Sequence, residues 1–180
     1  MSSCLKKNTI VISQVMMPNQ ANPNGNVHGG EIVKIMDSTA YAAARKYARS
    51  NVVTARIDEL QFHQPIMIGD LLTCEATVVY VGNSSMEIAV TVNVEDLDEV
   101  TDGCRPQRAL TAYFTMVALD RNSRPRKVPP LELETEEERK AFEDGKRRYE
   151  SRKQASIKKN SSKENNKGDN KIDLTAEKKK

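Results

Sequence analysis

A single helix-period segment lies between one strand-like run and four further strand-like runs, and this order constrains the fold more than any other feature. From Glu31 to about Arg49, apolar residues recur every three or four positions, and lysine, serine and arginine lie opposite them. The predicted apolar face comprises Ile32, Ile35, Met36, Thr39, Ala40, Ala43 and Tyr47. One long helix among strands predicts an α+β fold in which a single antiparallel sheet packs against that helix.

The strand-like runs are rich in β-branched residues and are separated by turn residues. They span residues 9–17, 52–62, 70–81, 85–97 and 108–119. Run 85–97 alternates most clearly, with Met86, Ile88, Val90, Val92 and Val94 on one side and Glu87, Thr91, Asn93 and Glu95 on the other. This alternation predicts one face in the core and one wetter face. Because one helix covers only part of such a sheet, we expect at least a dimer.

Beyond residue 119 the sequence becomes proline-rich and then highly charged. Thr135 is followed three residues later by Glu138, a capping-box pattern that predicts the start of a charged helix. From about Gln154 the lysine, asparagine and serine content predicts disorder. We therefore divide the chain into a domain over residues 1–130, a charged helix over 131–153 and a basic tail over 154–180.

The positive charge of the chain belongs to its C-terminal end. The whole chain carries +3, and residues 151–180 hold ten Lys or Arg against four Asp or Glu, a charge of +6 that leaves −3 for residues 1–150. A core of this sign is not typical of a nucleic-acid-binding domain, and a short basic tail is typical of a solvating extension. We expect no specific nucleic-acid partner.

The cysteines and the N-terminus indicate the cellular compartment. Cys4, Cys74 and Cys104 are far apart and odd in number, which is typical neither of a disulfide framework nor of a metal-binding pair. The N-terminus lacks the pattern of a signal peptide, and no run approaches the ~18 apolar residues of a membrane span. These features predict a cytoplasmic protein without a membrane span.

The stretch NPNGNVHGGEIVKIMD, residues 22–37, places a polar turn and two glycines directly before the helix. The first backbone N–H groups of a helix have no intrahelical partner and carry the positive end of the helix dipole. Gly29 and Gly30 would let a substrate oxygen approach these groups closely, as an oxyanion hole requires. The alternative is an ordinary helix start that happens to contain glycine.

Three polar side chains are candidates for a catalytic site. Asp37 lies nearly two turns into the helix at the edge of its apolar face, where an unsatisfied carboxylate costs desolvation, so it is either a general base or a boundary residue bonded to a neighbour. Asn22 could orient a water through its amide or form an ordinary Asx turn. Thr54 could add a hydroxyl or be a plain strand residue.

Several other enzyme classes lack support. The sequence contains no GxSxG, GxxxxGK[ST] or GxGxxG pattern, so serine-hydrolase, nucleotide-hydrolase and Rossmann functions are not indicated. His28, His63 and the scattered cysteines have no metal-ligand spacing. The sequence therefore predicts no metal site.

The stretches NPNGNVHGGEIVKIMD and VVTARIDELQFHQPIMIGD, with the later strands, resemble the hotdog-fold acyl-CoA thioesterases, particularly the bacterial enzymes related to cytosolic acyl-CoA hydrolases. The resemblance extends over about residues 8–130, and the charged helix is similar to the C-terminal extension of that family. It implies a hotdog thioesterase domain whose single antiparallel sheet wraps around one long helix, with active sites between two protomers.

The resemblance implies a role for each candidate residue. Asp37 matches the catalytic carboxylate of the family, Asn22 the asparagine that approaches it from the partner protomer, and Thr54 a further polar member of the site. Gly29 and Gly30 match the glycines whose amides polarise the thioester carbonyl. The implied reaction is hydrolysis of an acyl-CoA to a fatty acid and CoA, with Asp37 acting either as general base on water or as nucleophile.

The resemblance also implies partners. Family members often assemble as hexamers, trimers of hotdog dimers, and need no cofactor because CoA is part of the substrate. CoA phosphates call for cationic groups or turn amides near the site. The candidates are Arg121, Arg124, Arg126 and Lys127 after the last strand, and Gly82, Ser84 and Ser85 in the turn before the fourth.

Two other functions remain open at this point. One is hydration or dehydration of acyl groups on a carrier, which occurs in other hotdog proteins and uses a catalytic histidine paired with an acid. The other is a non-catalytic protein, either a module that binds acyl-CoA as a sensor or an interaction module that works through the basic tail. The order of His28, the glycines and Asp37 favours hydrolysis.

Overall fold

The structure is a computed structural model that describes residues 8–97 and 106–168, with side chains described up to residue 155. Cys4, Cys104 and the last part of the predicted tail, 169–180, lie outside the described residues. The described elements are β1 (Thr9–Val15), a short 3-10 turn (Pro18–Gln20), α1 (Gly29–Ala48), β2 (Asn51–Phe62), β3 (Leu71–Val81), β4 (Ser85–Glu95), β5 (Gln107–Leu119) and α2 (Glu136–Gly168).

The five strands form one sheet in the order β1-β3-β4-β5-β2, and every neighbouring pair is antiparallel. Helix α1 packs against this sheet and contributes buried residues to the core, among them Ile32, Met36 and Ala40. The largest fully buried side chain, Phe114 of β5, faces the same core. All five strands contact α1, and this arrangement confirms the predicted α+β hotdog fold.

Strand β4 confirms the predicted alternation on its core side and departs from it on the other. Met86, Ile88 and Val90 are buried, as expected. On the opposite face, where the pattern predicts a wetter surface, Glu87 is only 1% exposed. The reason is that α2 packs over this part of the sheet and removes Glu87 from water.

Helix α2 begins as predicted and runs further than expected. Glu138 N–H donates to Thr135 Oγ1 at 3.2 Å, and Thr135 N–H donates to Glu138 Oε2 at 3.1 Å, which confirms the capping box. The helix then runs to Gly168, so the disorder expected from Gln154 does not begin at that residue. Lysine and glutamate propagate a helix well once it is nucleated. Segments rich in these residues are also typical of disorder, so the composition alone does not distinguish the two.

Gly145 allows α2 to approach the sheet closely. A Cβ atom at this buried position would lie 2.6 Å from Tyr80 Cβ and 2.9 Å from Glu87 Oε2. The Tyr80 ring packs beside Phe142 and Tyr149 of α2, with ring centroids 5.1 and 5.5 Å apart. The missing side chain at Gly145 therefore sets the distance between helix and sheet.

We expect Gly145→Ala to lower the free energy of unfolding. Alanine favours an isolated helix over glycine by about 1 kcal/mol, but the new methyl must displace Tyr80 or Glu87, and overpacking of this kind costs about 1–3 kcal/mol. Urea unfolding followed by circular dichroism at fixed protein concentration measures the net effect. Ser151→Ala, on an exposed position of the same helix, is the control and should be neutral or stabilising. A stabilised Gly145→Ala protein would contradict this packing.

Strand β2 forms one edge of the sheet and exposes apolar side chains. It pairs with β5 on one side and with no other strand of the described residues. Val53, Ile57, Leu60 and Phe62 are 43%, 38%, 38% and 53% exposed. An unpaired, apolar edge of this length is a surface that proteins usually cover, which is in keeping with the expected dimer.

Candidate active site

Asp37 and Thr54 lie in direct contact, although 17 residues separate them in the sequence. Asp37 is half-buried on α1, and Thr54 is exposed on the adjacent part of β2. Thr54 Oγ1 donates to Asp37 Oδ1 at 2.6 Å, a length typical of a hydroxyl bonded to a carboxylate. The structure therefore brings together two of the three predicted catalytic side chains.

The hydroxyl of Thr54 orients the carboxylate of Asp37. Met116 Sδ also lies 3.3 Å from Thr54 Oγ1, but one hydroxyl proton makes one strong hydrogen bond, and the charged oxygen is the better acceptor. Within the described residues, Asp37 Oδ2 has no hydrogen-bond partner, so it can accept from a substrate or a water. Thr54 thus fixes one carboxylate oxygen and leaves the other available.

Asn22 closes its own turn. Its Oδ1 accepts from Asn24 N–H at 2.9 Å and from Asn26 N–H at 3.2 Å, so the Asx turn that was one of two alternatives is present. The Nδ2 group has no hydrogen-bond partner within the described residues. Asn22 can therefore donate a hydrogen bond to a nearby oxygen, but its own carbonyl is occupied.

His28 caps the start of α1. Its Nδ1 atom accepts from Gly30 N–H at 3.0 Å, so one of the two amides expected to polarise a carbonyl is already bonded to an imidazole. This role of His28 was not predicted from the sequence, although a histidine two residues before Gly30 is a visible signal for a capping residue. A Cβ at Gly29 would lie 3.2 Å from the Phe62 ring, so Phe62 borders the helix start.

The predicted site residues fall into two groups within one chain. Asn22, Gly29 and Gly30 lie at or next to the start of α1. Asp37 is seven residues further along α1, which corresponds to about 10 Å at 1.5 Å per residue. This distance is too long for both groups of one chain to act on the same atom.

The two predicted CoA-binding segments lie side by side. In the turn before β4, the carbonyl of Asn83 accepts from Val128 N–H at 2.9 Å, and that of Ser84 accepts from Ala118 N–H at 2.8 Å. Gly82 N–H donates to Ser85 O within the same turn. The turn and the segment that follows β5 therefore form one surface, on which Arg121, Arg124, Arg126 and Lys127 are all exposed.

This surface lies at the same end of the sheet as Thr54. Thr54 pairs with Met116 of β5, and Met116 pairs with Met86 of β4, next to Ser85. Two strand spacings separate them, about 10 Å. The turn before β4 is thus within reach of an extended ligand that passes Thr54.

The histidines and the buried cysteine do not form a metal site. No group of three or more His, Cys, Asp or Glu side chains in residues 8–97 and 106–155 is placed to hold a metal ion. Cys74 is a free, buried thiol, and burial raises its pKa to about 11. It therefore stays protonated at neutral pH, as expected of a structural cysteine. In the part of the chain that the structure describes, no helix is apolar and long enough to span a membrane.

Comparisons by family, by sequence and by structure all find thioesterases or acyl-CoA hydrolases. Residues 24–101 match the family described as the thioesterase superfamily. The cytosolic acyl coenzyme A thioester hydrolase of Mus musculus is 39% identical over 148 residues, which are 79% of this chain and 38% of that protein. The chain thus spans well under half the length of this curated relative.

Two solved structures are similar along nearly their whole length. An acyl-CoA hydrolase from Staphylococcus aureus, solved with butyryl coenzyme A, coenzyme A and coenzyme A disulfide, is 30% identical with a TM-score of 0.77, over 89% of this chain and 95% of that one. Its solved variants replace an aspartate, an asparagine or a threonine by alanine. A hexameric acyl-CoA thioesterase, solved without ligand, is 32% identical with a TM-score of 0.77, over 84% and 95% of the two chains.

Proposed function

The chain belongs to the thioesterase superfamily, and from this membership we propose that it hydrolyses acyl-CoA thioesters to a free fatty acid and CoA. The bond between Thr54 and Asp37 carries the proposal. A carboxylate held by one oxygen, with the other oxygen open at an uncovered sheet edge, is suited to take a proton from water. The named relatives act on the same class of substrate.

In the proposed reaction a water oxygen attacks the thioester carbonyl carbon while Asp37 Oδ2 takes the proton of that water. The carbonyl oxygen becomes an oxyanion, which the amides at the start of α1 stabilise. Collapse of the tetrahedral intermediate breaks the carbon–sulfur bond, and the proton returns to the departing CoA sulfur. Direct attack by Asp37 through an anhydride gives the same products.

The active site is proposed to form between two protomers. The helix start and Asn22 of one chain would meet Asp37 and Thr54 of the other, since the two groups are about 10 Å apart within one chain. In this arrangement Asn22 Nδ2 donates to the water or to the carbonyl oxygen. The exposed apolar edge of β2 supports at least a dimer, and the hexameric relative supports a trimer of dimers.

CoA is proposed to bind along the surface formed by the turn before β4 and the segment after β5. Gly82, Ser84 and Ser85 would supply turn amides or hydroxyls, and the exposed cations would face the phosphates. The candidate cations are Arg121, Arg124, Arg126 and Lys127.

The proposal also covers the cofactor requirement, the cellular location and the division of the chain. The reaction needs no metal or other cofactor, since the chain itself supplies the base and the hydrogen-bond donors. The cytoplasm is the proposed location, in keeping with the name of the mouse relative. Residues 1–130 are proposed as the catalytic domain, and the residues after 153 as a solvating tail without a specific nucleic-acid partner.

The deciding experiment is an assay of thiol release by the purified full chain across acyl-CoAs of increasing chain length. We expect thiol release in step with loss of the thioester, and crotonyl-CoA tested in parallel should not gain water across its double bond. Hydration of crotonyl-CoA without thiol release would establish the hydratase alternative. Binding of acyl-CoA with neither reaction would leave a non-catalytic module.

A further inference from the structure

Glu87 is a carboxylate that α2 removes from water. It lies on the outer face of β4, and its side chain is 1% exposed. Arg148 donates to Glu87 Oε2 through Nη2 at 2.6 Å and through Nε at 3.0 Å. Arg152, one turn further along α2, places Nη1 2.9 Å from Oε1. A buried carboxylate requires charged partners of this kind, because an unpaired one would be very costly.

Arg148 is held firmly in this cluster. Its guanidinium carbon lies 3.8 Å from the centroid of the Tyr113 ring on β5. Burial acts to lower the pKa of Arg148, but the hydrogen bond and negative charge of Glu87 outweigh burial and raise it. Arg148 therefore remains charged and fixes α2 above β4 and β5.

Arg152 reaches one strand further than Arg148 does. The same Nη1 atom that faces Glu87 donates to Asp58 Oδ2 at 3.3 Å. Glu87 belongs to β4 and Asp58 to β2, so this side chain spans the intervening strand β5. Arg152 and Asp58 are 19% and 15% exposed, so both are largely shielded from solvent. We term these contacts the Arg152 bridge.

The Arg152 bridge holds β2 where that strand is irregular. The pairing of β2 with β5 shifts register between Thr54 and Arg56 and again between Asp58 and Gln61. Glu59, directly after Asp58, has a φ of +53°, which costs free energy for a residue other than glycine. Because β2 is an edge strand, it pairs with β5 alone among the described strands, and the Arg152 bridge adds a contact from α2 on its outer face.

We propose that Arg152 is a positioning residue for the active site: by holding Asp58, it fixes the irregular segment of β2 that presents Thr54 to Asp37. Thr54 is four residues before Asp58 on the same strand, at the other end of the shifted segment. If this segment relaxes, the Thr54 hydroxyl moves away from Asp37 Oδ1 and the carboxylate loses its fixed orientation. Helix α2 thus acts on the reaction without touching the substrate. This inference rests on the proposed function.

The test compares Arg152→Met with Arg147→Met. Both changes remove one positive charge from α2, but Arg147 pairs only with Asp144 of its own helix among the described residues, and its side chain is 76% exposed. We expect Arg152→Met to lower kcat by about 10- to 100-fold, as small displacements of catalytic groups do, with KM little changed. Arg147→Met should behave as wild type, and Arg152→Lys should recover part of the rate. Equal kcat values for the two methionine variants would overturn the proposal.

Two further variants separate positioning from general stability. Asp58→Ala removes the bridge but leaves Glu87 paired with both arginines, whereas Arg56→Met removes the other partner of Asp58 and keeps the bridge. We expect a lower kcat in Asp58→Ala and an unchanged kcat in Arg56→Met. The Asp58→Ala variant also serves as the test if Arg152→Met fails to fold.

Hydrogen exchange gives a readout that does not depend on activity. Amides of residues 51–58 should exchange faster in Asp58→Ala than in Arg56→Met, while amides of β3 and β4 exchange equally in both. Acceleration spread evenly over the sheet would mean that the bridge is merely structural and would overturn the proposal. If the wild-type protein releases no thiol, the proposed function fails, and the exchange comparison then decides the Arg152 bridge by itself.

Discussion

Asp37→Asn is expected to reduce kcat for acyl-CoA hydrolysis by about 10²- to 10⁴-fold, the range typical of removing a general base. The amide has the shape of the carboxylate and can still accept the bond from Thr54, so the fold should persist. It cannot take a proton from water, nor attack a carbonyl carbon as a nucleophile. Steady-state thiol release, with circular dichroism to confirm folding, measures the effect.

Glu75→Gln is the matched control for Asp37→Asn. It also replaces a carboxylate by an amide, but on an exposed position of β3 outside the proposed site. Its kcat should equal that of the wild type. If Asp37→Asn retained wild-type kcat, both the base and the nucleophile mechanisms would be excluded.

The second large effect is recovery of activity when two inactive variants share a dimer. Asn22→Ala and Asp37→Asn should each be nearly inactive alone. If each site takes Asn22 from one chain and Asp37 from the other, a mixed dimer contains one site with both changes and one intact site. Random co-assembly makes half of the dimers mixed, so about a quarter of the wild-type activity should return.

Coexpression of the two variants with different affinity tags isolates the mixed dimers, in which one site of the two is intact, so about half of the wild-type activity should be found in that fraction. A pair of Asp37→Asn and Thr54→Val is the control, because Asp37 and Thr54 belong to the same chain and no intact site can form. Activity restored in this control as well would mean that subunit mixing stabilises the protein nonspecifically. Absence of recovery in the first pair would place Asn22 and Asp37 of one chain in the same site.

The α+β fold class and the buried faces of α1 and β4 follow from local patterns in the sequence. The period of residues 31–49 places Ile32, Met36 and Ala40 in the core, and the alternation in β4 predicts its buried face correctly. Thr54 was proposed as a hydroxyl that could join the polar network of Asp37, with an ordinary strand residue as the alternative, and the structure places the two side chains in contact. The resemblance to a known family added roles that no local pattern carries.

What the sequence did not predict depends on contacts between distant segments. Glu87 looks like a residue of the solvated face, and only the return of α2 over β4, about 60 residues later, buries it. The Gly145 contact has the same origin. The occupied amide of Gly30 depends on the rotamer of His28, which no periodicity specifies. The separation of Asn22 and the glycines from Asp37 follows from the helix rise, and the resemblance had already implied that Asn22 and Asp37 meet across two protomers.

The hydrogen bond between His28 and Gly30 affects which kind of oxygen atom the start of α1 can bind. His28 Nδ1 already accepts from Gly30 N–H. A substrate oxygen must replace this acceptor, so it gains only the difference in free energy between the two hydrogen bonds. A neutral thioester carbonyl competes poorly with an imidazole nitrogen, whereas an oxyanion is a much stronger acceptor. If the start of α1 binds the substrate oxygen as proposed, this exchange would discriminate against the ground state, and the Gly30 amide would bind the substrate fully only as charge develops on it.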